Sequence, residues 1–150
     1  MDRGAARTRA TPAQAPAMIT AVDTSVLVAI AKGEAEAHRW TDLLAAARTD
    51  GDLVICEVVA AEFFALLLDE RKFQQSLSGL GIGFSPSLLD AARLAGRIFR
   101  DYRRQGGPRE HLIPDFLIGA HAQRQADQIA AIDRGYLRTY FPRLRIVKPG

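Results

Sequence analysis

The chain has 150 residues, of which 48% are hydrophobic and 25% charged, and these values are typical of one globular domain. No apolar run approaches the roughly 18 residues that a membrane-spanning helix needs, and the N-terminus carries no apolar signal segment, so we expect a cytoplasmic protein with no membrane partner. The single cysteine excludes an internal disulfide, and the net charge of +3 does not by itself identify a partner, since 17 basic and 16 acidic residues remain after residue 17.

The first segment of the chain differs in composition from the rest. Residues 1–17 are rich in Ala, Pro, Thr and Arg and show no periodicity, which predicts a disordered tail before one folded domain over residues 18–150. The β-branched run over residues 19–22 predicts a buried strand, and the polar residues from Asp23 to Ser25 predict a capped helix start.

Helical and strand-like segments alternate along the remaining sequence. Strands are predicted over residues 53–55, 82–84, 128–132 and 145–147. Helices are predicted over residues 34–48, from 57 to about 71, and over 72–77, 86–105 and 112–125. Pro86 after Ser85 predicts the start of the helix over residues 86–105, because proline suits the first helical position. The alternation predicts an α/β domain with a central parallel sheet of four to five strands.

Two aspartates directly follow predicted strands. Asp23 follows the first strand and Asp133 follows the run over residues 128–132. Ligands of open parallel sheets bind at the carboxyl ends of the strands, so acids at these positions are candidate site residues. A helix cap or a turn also explains either aspartate taken alone.

Two further acids are surrounded by apolar residues on predicted helices. Glu62 lies within residues 58–64 and Asp115 within residues 113–118, so we expect both carboxylates to be partly buried. Burial of a carboxylate is costly unless a cation or a hydrogen-bond donor compensates it. A first-turn acid facing the helix dipole also explains Asp115, whereas Glu62 lies in mid-helix.

Four carboxylates at one edge of a sheet would form an oxygen-rich pocket. Such ligands favour magnesium or manganese, whereas zinc would require Cys or His ligands. His38, His111 and His121 show no such ligand pattern, and we interpret them as surface or packing residues. His111 lies four residues before Asp115, which makes it a candidate for the edge of the pocket.

At these residues the chain resembles the PIN-domain family, and most closely the VapC-type toxins of prokaryotic toxin–antitoxin pairs. The matching segments occur in order along the chain, at residues 22–27, 58–63, 113–120 and 132–136. The resemblance covers the chain from Met18 onwards. It fails at one position, since many relatives carry Thr or Ser two residues before the last acid, where this chain has Ala131.

The resemblance implies a three-layer α/β/α PIN-like fold and a magnesium-dependent endoribonuclease, with manganese as a possible substitute. It implies the toxin component of a VapBC-type system, a homodimer inhibited by a small antitoxin, which hydrolyses RNA phosphodiester bonds through metal-activated water. By position, the catalytic and metal-binding roles fall to Asp23, Glu62, Asp115 and Asp133. Ser25 matches a residue that supports the first acid, and Arg134 is a candidate contact for RNA phosphate.

Two other functions agree with the same residues. A non-toxin PIN nuclease of RNA processing or decay would cleave RNA but would have no antitoxin encoded beside it. A catalytically silent PIN-like interaction module would bind partners without metal-dependent cleavage, and the four intact acids count against it.

Overall fold

The computed structural model describes residues 17–133 and 135–150, so Arg134 and all of the predicted tail except Ala17 lie outside the described residues. The strands are β1 (Met18–Val22), β2 (Gly51–Ile55), β3 (Ile82–Phe84), β4 (Gln128–Ala130) and β5 (Ile146–Val147). The helices are α1 (Thr24–Ala31), α2 (Ala37–Asp50), α3 (Glu57–Leu67), α4 (Glu70–Leu80), α5 (Leu89–Arg104), α6 (Ile113–Gln125) and α7 (Tyr136–Tyr140).

The strands form one parallel sheet in the order β3-β2-β1-β4-β5, with helices on both faces, which confirms the predicted three-layer α/β/α fold. The central strand β1 pairs with β2 on one side and with β4 on the other. A buried hydrogen bond of 2.9 Å from Gln128 Nε2 to Thr20 Oγ1 joins β4 to β1. The chain changes direction across the sheet at β1, so the crevice beyond Val22 is the expected ligand position.

An aromatic cluster supports α6 and α7 beside this crevice. The buried ring of Phe116 on α6 lies edge-on to Tyr136 and Tyr140 of α7, with ring centroids 6.2 and 5.8 Å apart. Tyr102 of α5 packs against Phe116 at 5.2 Å. These contacts fix the start of α6 relative to α7, and both elements contribute to the site described below.

The long helix predicted from residue 57 to about 71 is interrupted. It ends at Leu67, because Leu68 adopts a left-handed conformation with φ 49°. Asp69 then caps α4, accepting a hydrogen bond of 2.9 Å from the backbone N–H of Lys72. The sequence predicts the break between residues 71 and 72, but it lies at Leu68 and Asp69, since capping chemistry and not periodicity determines its place.

The prediction that α5 begins at Pro86 is wrong, since α5 begins at Leu89. Side chains of neighbouring helices hold the preceding segment outside a helix. Glu57 Oε1 accepts a 2.8 Å hydrogen bond from Ser87 N, and Gln125 Oε1 accepts one of 2.8 Å from Leu88 N. These tertiary contacts satisfy the backbone donors that a first helical turn would leave unpaired.

Two short segments also differ from the prediction. The helix predicted to end at residue 48 continues to Asp50, and β2 begins at once at Gly51, two residues before the predicted strand. A Cβ atom at Gly51 would lie 1.9 Å from the backbone oxygen of Met18, so only glycine fits there. Helix α7 was not predicted, because its five residues are too few to show a helical period. Within the described part of the chain, no helix is long and apolar enough to cross a membrane.

Two glycines of packed helices provide a matched test of the fold. A Cβ atom at Gly119 of α6 would lie 2.4 Å from the buried Phe141 ring, whereas one at Gly96 of α5 would contact nothing within 4 Å. We expect Gly119→Ala to lower the free energy of unfolding by about 1–3 kcal/mol. We expect Gly96→Ala to raise it by up to about 1 kcal/mol, because alanine favours the helix. Urea unfolding measures both, and equal effects would contradict the packing of α6 on Phe141.

Candidate functional site

The Asp23 side chain lies at the carboxyl end of β1 and caps α1. Its Oδ2 accepts hydrogen bonds from the backbone N–H and the hydroxyl of Ser25, at 3.2 and 2.5 Å. Burial raises the pKa of the Asp23 carboxyl above its ordinary value of 3.8, and the charge of Asp115 raises it further, against the hydrogen bonds from Ser25 and Thr24. The cost of ionisation makes this carboxylate the one most in need of a compensating cation.

Ser25 supports Asp23 and also connects two strands. While its hydroxyl donates to Asp23, it accepts a hydrogen bond of 3.1 Å from the backbone N–H of Ile132. The backbone N–H of Asp23 donates to Ala130 O at 2.9 Å. The carboxyl ends of β1 and β4 are therefore held together directly beneath the site.

Glu62 lies on α3 and faces the same crevice. Its Oε1 accepts a hydrogen bond of 2.5 Å from the hydroxyl of Thr24, the residue after Asp23. The prediction that Glu62 is partly buried is wrong, because the residue is exposed. Its apolar neighbours Val59 and Phe63 are buried in the core, and the helix leaves Glu62 at the edge.

Asp115 occupies the first turn of α6. Its Oδ2 accepts a hydrogen bond of 3.0 Å from the backbone N–H of Leu112, as expected of a first-turn acid. The same oxygen lies 3.7 Å from His111 Nδ1, and the Asp115 side chain is 34% exposed. Partial burial of Asp115 is confirmed, and His111 lies beside Asp115 as its place four residues earlier predicts.

Asp133 is the most strongly hydrogen-bonded of the four acids. Its side chain is only 2% exposed. Oδ1 accepts from the backbone N–H groups of Gly135 and Leu137, both at 3.0 Å, and Oδ2 accepts from Arg138 N at 3.2 Å. The Arg138 guanidinium lies 3.7 Å from Oδ2. Both oxygens thus fix the start of α7. A helix cap was one of the two explanations that the sequence offered for this residue.

Tyr136 is the residue around which the four acids come together. Burial raises the pKa of its hydroxyl, and so do, in decreasing order, the charges of Asp23, Asp115, Asp133 and Glu62. The hydroxyl lies 3.4 Å from the backbone oxygen of Asp115. The ring of His111 stacks on Tyr136 with centroids 4.7 Å apart. The sequence analysis assigned no role to Tyr136. The one sequence feature that could have indicated it is its place three residues after Asp133.

The acids are near one another but do not form a closed ligand set. Across residues 17–133 and 135–150, no group of three or more His, Cys, Asp or Glu side chains is placed to hold a metal ion. Asp23, Glu62 and Asp115 each use one oxygen in the contacts above, and their second oxygens take no part in them. These three carboxylates have the donor chemistry of a magnesium or manganese site.

Comparison with known proteins identifies the family. A model of the PIN domain matches residues 20–142. The chain belongs to the PIN-domain family. A protein named Ribonuclease VapC10 from Mycobacterium tuberculosis is 32% identical over 130 residues, which is 85% of this chain and 90% of the relative.

Solved structures share the fold of this PIN domain. One is VapBC2 from Rickettsia felis bound to a DNA fragment from its promoter, with TM-score 0.63 and 19% identity over 87% of this chain and 98% of the other. Another is VapC20 from Mycobacterium tuberculosis, described as a toxin that cleaves the sarcin-ricin loop, with TM-score 0.57 and 17% identity over 80% and 93% of the two chains.

The remaining histidines of the PIN domain lie away from the acids. His121 is 1% exposed, and its Nε2 is 3.0 Å from Ser85 Oγ. Burial lowers the pKa of His121, although the charge of Glu57 opposes the shift. His38 is exposed. The interpretation of these two residues as packing and surface histidines is confirmed.

The raised pKa of Asp23 predicts a pH-dependent effect on stability. Because the folded state disfavours the ionised form, the Asp23 carboxyl contributes most to stability at low pH, and the contribution is lost as pH rises through the folded pKa. In metal-free buffer at neutral pH, Asp23→Asn should therefore melt at a higher temperature than wild type. The difference should shrink as pH falls towards 3.8, the ordinary pKa of the group. Thermal melts followed by circular dichroism measure this, and a destabilised variant at neutral pH would contradict it.

Proposed function

We propose that this protein is a metal-dependent endoribonuclease and the toxin of a VapBC-type toxin–antitoxin pair. The observation that carries the proposal is that four carboxylates, those of Asp23, Glu62, Asp115 and Asp133, lie near enough to the Tyr136 hydroxyl for their charges to raise its pKa, with Asp23 at the switch point of the sheet. Membership of the PIN-domain family and the likeness to Ribonuclease VapC10 support nuclease activity. RNA as the substrate and a cytoplasmic location are parts of the same proposal.

Asp23, Glu62 and Asp115 are the proposed ligands of a magnesium ion, with manganese as a substitute. A bound divalent cation would neutralise the scissile phosphate and lower the pKa of a coordinated water. Ser25 orients Asp23, and Thr24 orients Glu62, so that each acid retains an oxygen outside these hydrogen bonds. Asp133 is also proposed to take part in catalysis and metal binding. Its contribution is its negative charge beside Tyr136, because its oxygens hold α7.

The proposed partners are a small antitoxin and a second copy of the chain. A structural relative is a VapBC2 complex, and this supports an antitoxin. Phe84, Leu88 and Leu89 are 60%, 61% and 69% exposed, and apolar side chains with this exposure support a homodimer. Arg134 stays a candidate RNA contact by its position beside Asp133.

One observation favours a second function, a catalytically silent interaction module. Both oxygens of Asp133 are engaged by backbone N–H groups of residues 135–138, as in a purely structural cap. A protein of this class would bind partners and leave RNA intact. The cleavage assay below separates the two functions.

The test is cleavage of total cellular RNA by the purified protein with magnesium, manganese or chelator. We expect cleavage with either metal and none with chelator. Asp23→Asn and Asp115→Asn should lower the rate by about a hundredfold or more, because each removes a charged ligand. The control Asp42→Asn removes an exposed carboxylate of α2 outside the site and should cleave as wild type does.

Equal cleavage by wild type, Asp23→Asn and Asp115→Asn would contradict the assigned residues. Absence of cleavage with both metals, by protein that shows a normal thermal melt, would favour the silent interaction module.

A further inference from the structure

A cavity beside the acid cluster is lined in part by Asp133. It has a volume of about 580 Å³, within the range of about 300–1,000 Å³ common for small-molecule sites. The turn between α1 and α2 forms one wall, and the chain beyond β4 and β5 forms the other. Its lining includes Glu34, Trp40, Ile132, Asp133 and Lys148.

The walls of this cavity are largely apolar and accessible. Trp40 is 4% exposed and fixed in the core, whereas Ile132 is 41% exposed. Ala35 and Pro149 add small apolar surfaces. A flat aromatic ligand would bury its faces against such walls, as single-stranded RNA bases do on protein surfaces.

Two charged groups of the cavity have no ion pair or side-chain hydrogen bond among the described residues. They are the carboxylate of Glu34 and the ammonium group of Lys148. Glu36 is already engaged, because its Oε1 accepts a 2.8 Å hydrogen bond from Arg39 Nη1. Arg39 also donates to the backbone oxygen of Gly150, which ties the segment containing Lys148 to α2. Glu34 is therefore the free acceptor of the cavity and Lys148 the free donor.

The chemistry of a free carboxylate selects among the four RNA bases. A carboxylate accepts two parallel hydrogen bonds and donates none. Guanine alone presents two adjacent donors, N1–H and the N2 amino group, on its Watson–Crick edge. Adenine and cytosine present a donor beside an acceptor, and uracil presents one donor between two acceptors. Lys148 can donate to guanine O6 or to a neighbouring phosphate.

Asp133 is common to the cavity and the acid cluster. It lines the cavity and also belongs to the acids around the Tyr136 hydroxyl. A nucleotide seated in the cavity would thus lie next to the phosphate at the acids. We infer that this cavity binds a guanine base of the RNA adjacent to the scissile phosphate, with Glu34 reading its Watson–Crick edge. The inference rests on the proposed function for the identity of the polymer, although binding of the base needs no cleavage.

Trp40 provides a direct measure of binding, because it is the single tryptophan of the chain and lies in the cavity wall. The experiment titrates the full chain with each of the four nucleoside monophosphates and follows tryptophan fluorescence, corrected for absorption by the nucleotide. We expect a saturable change with guanosine monophosphate at the lowest concentration. Glu34→Gln should weaken this binding roughly tenfold, since one of two parallel hydrogen bonds is lost. Ala35→Phe should abolish it by filling the cavity.

The matched control is Glu70→Gln, which makes the same chemical change on the exposed first turn of α4. It should bind guanosine monophosphate as wild type does. Glu34, Ala35 and Glu70 are exposed, so these variants should fold normally. The proposal is overturned if no nucleotide changes the fluorescence, or if all four bind equally and Glu34→Gln binds as tightly as wild type.

A second measurement connects the cavity with cleavage. Wild type and Glu34→Gln are incubated with an oligoribonucleotide pool of random sequence, and the cleaved ends are sequenced. We expect guanine at one fixed position beside the cut with wild type, and a roughly tenfold loss of that preference among the products of Glu34→Gln. An unchanged preference in the variant overturns the proposal while leaving the nuclease activity established.

Discussion

The hydrogen bond between the Ser25 hydroxyl and Asp23 is the interaction on which the arrangement of the site depends. The hydroxyl donates to the Asp23 carboxylate and accepts from the backbone N–H of Ile132, so one side chain holds the first acid and the exit of β4 together. The chain then reaches Asp133 from a fixed position. Many relatives carry Thr or Ser where this chain has the buried Ala131. Here Ser25 supplies a hydroxyl to the next residue, since it accepts from the backbone N–H of Ile132.

Three of the four acids of the site contribute to the local fold as well as to the proposed chemistry. Asp23 caps α1, Asp115 bonds the backbone before α6, and Asp133 caps the start of α7. These hydrogen bonds compensate part of the cost of bringing negative charges together. They also explain why the carboxylates approach one another without a closed ligand set, since each is oriented by a protein donor. A bound cation would take the oxygens of Asp23, Glu62 and Asp115 that these hydrogen bonds do not use.

Sequence periodicity predicted the α/β architecture well, because buried parallel strands and amphipathic helices leave strong patterns. It misplaced the start of α5, since the hydrogen bonds to Ser87 and Leu88 come from residues distant in sequence. It also predicted partial burial for Glu62, because sequence neighbours of a helical residue lie on other faces of the helix. The position of Tyr136 near the four acids was not predictable, since these acids come from four separate segments of the chain.

Asp133 is shared by the proposed catalytic acids and the proposed base-binding cavity. Its charge acts on the Tyr136 hydroxyl with those of the other acids, and it lines the cavity together with Trp40 and Glu34. The acid cluster by itself carries no information about base sequence, because phosphate is the same at every nucleotide. Recognition of a base therefore requires a neighbouring surface with its own donors and acceptors, and this cavity provides one.

The proposed divalent cation site of Asp23, Glu62 and Asp115 is measured by calorimetric titration of the metal-free protein with manganese. We expect saturable binding to wild type, with affinity lowered at least about tenfold in Asp23→Asn and Asp115→Asn and unchanged in Asp42→Asn. Binding of equal affinity in all four proteins, or no binding to wild type, would contradict it.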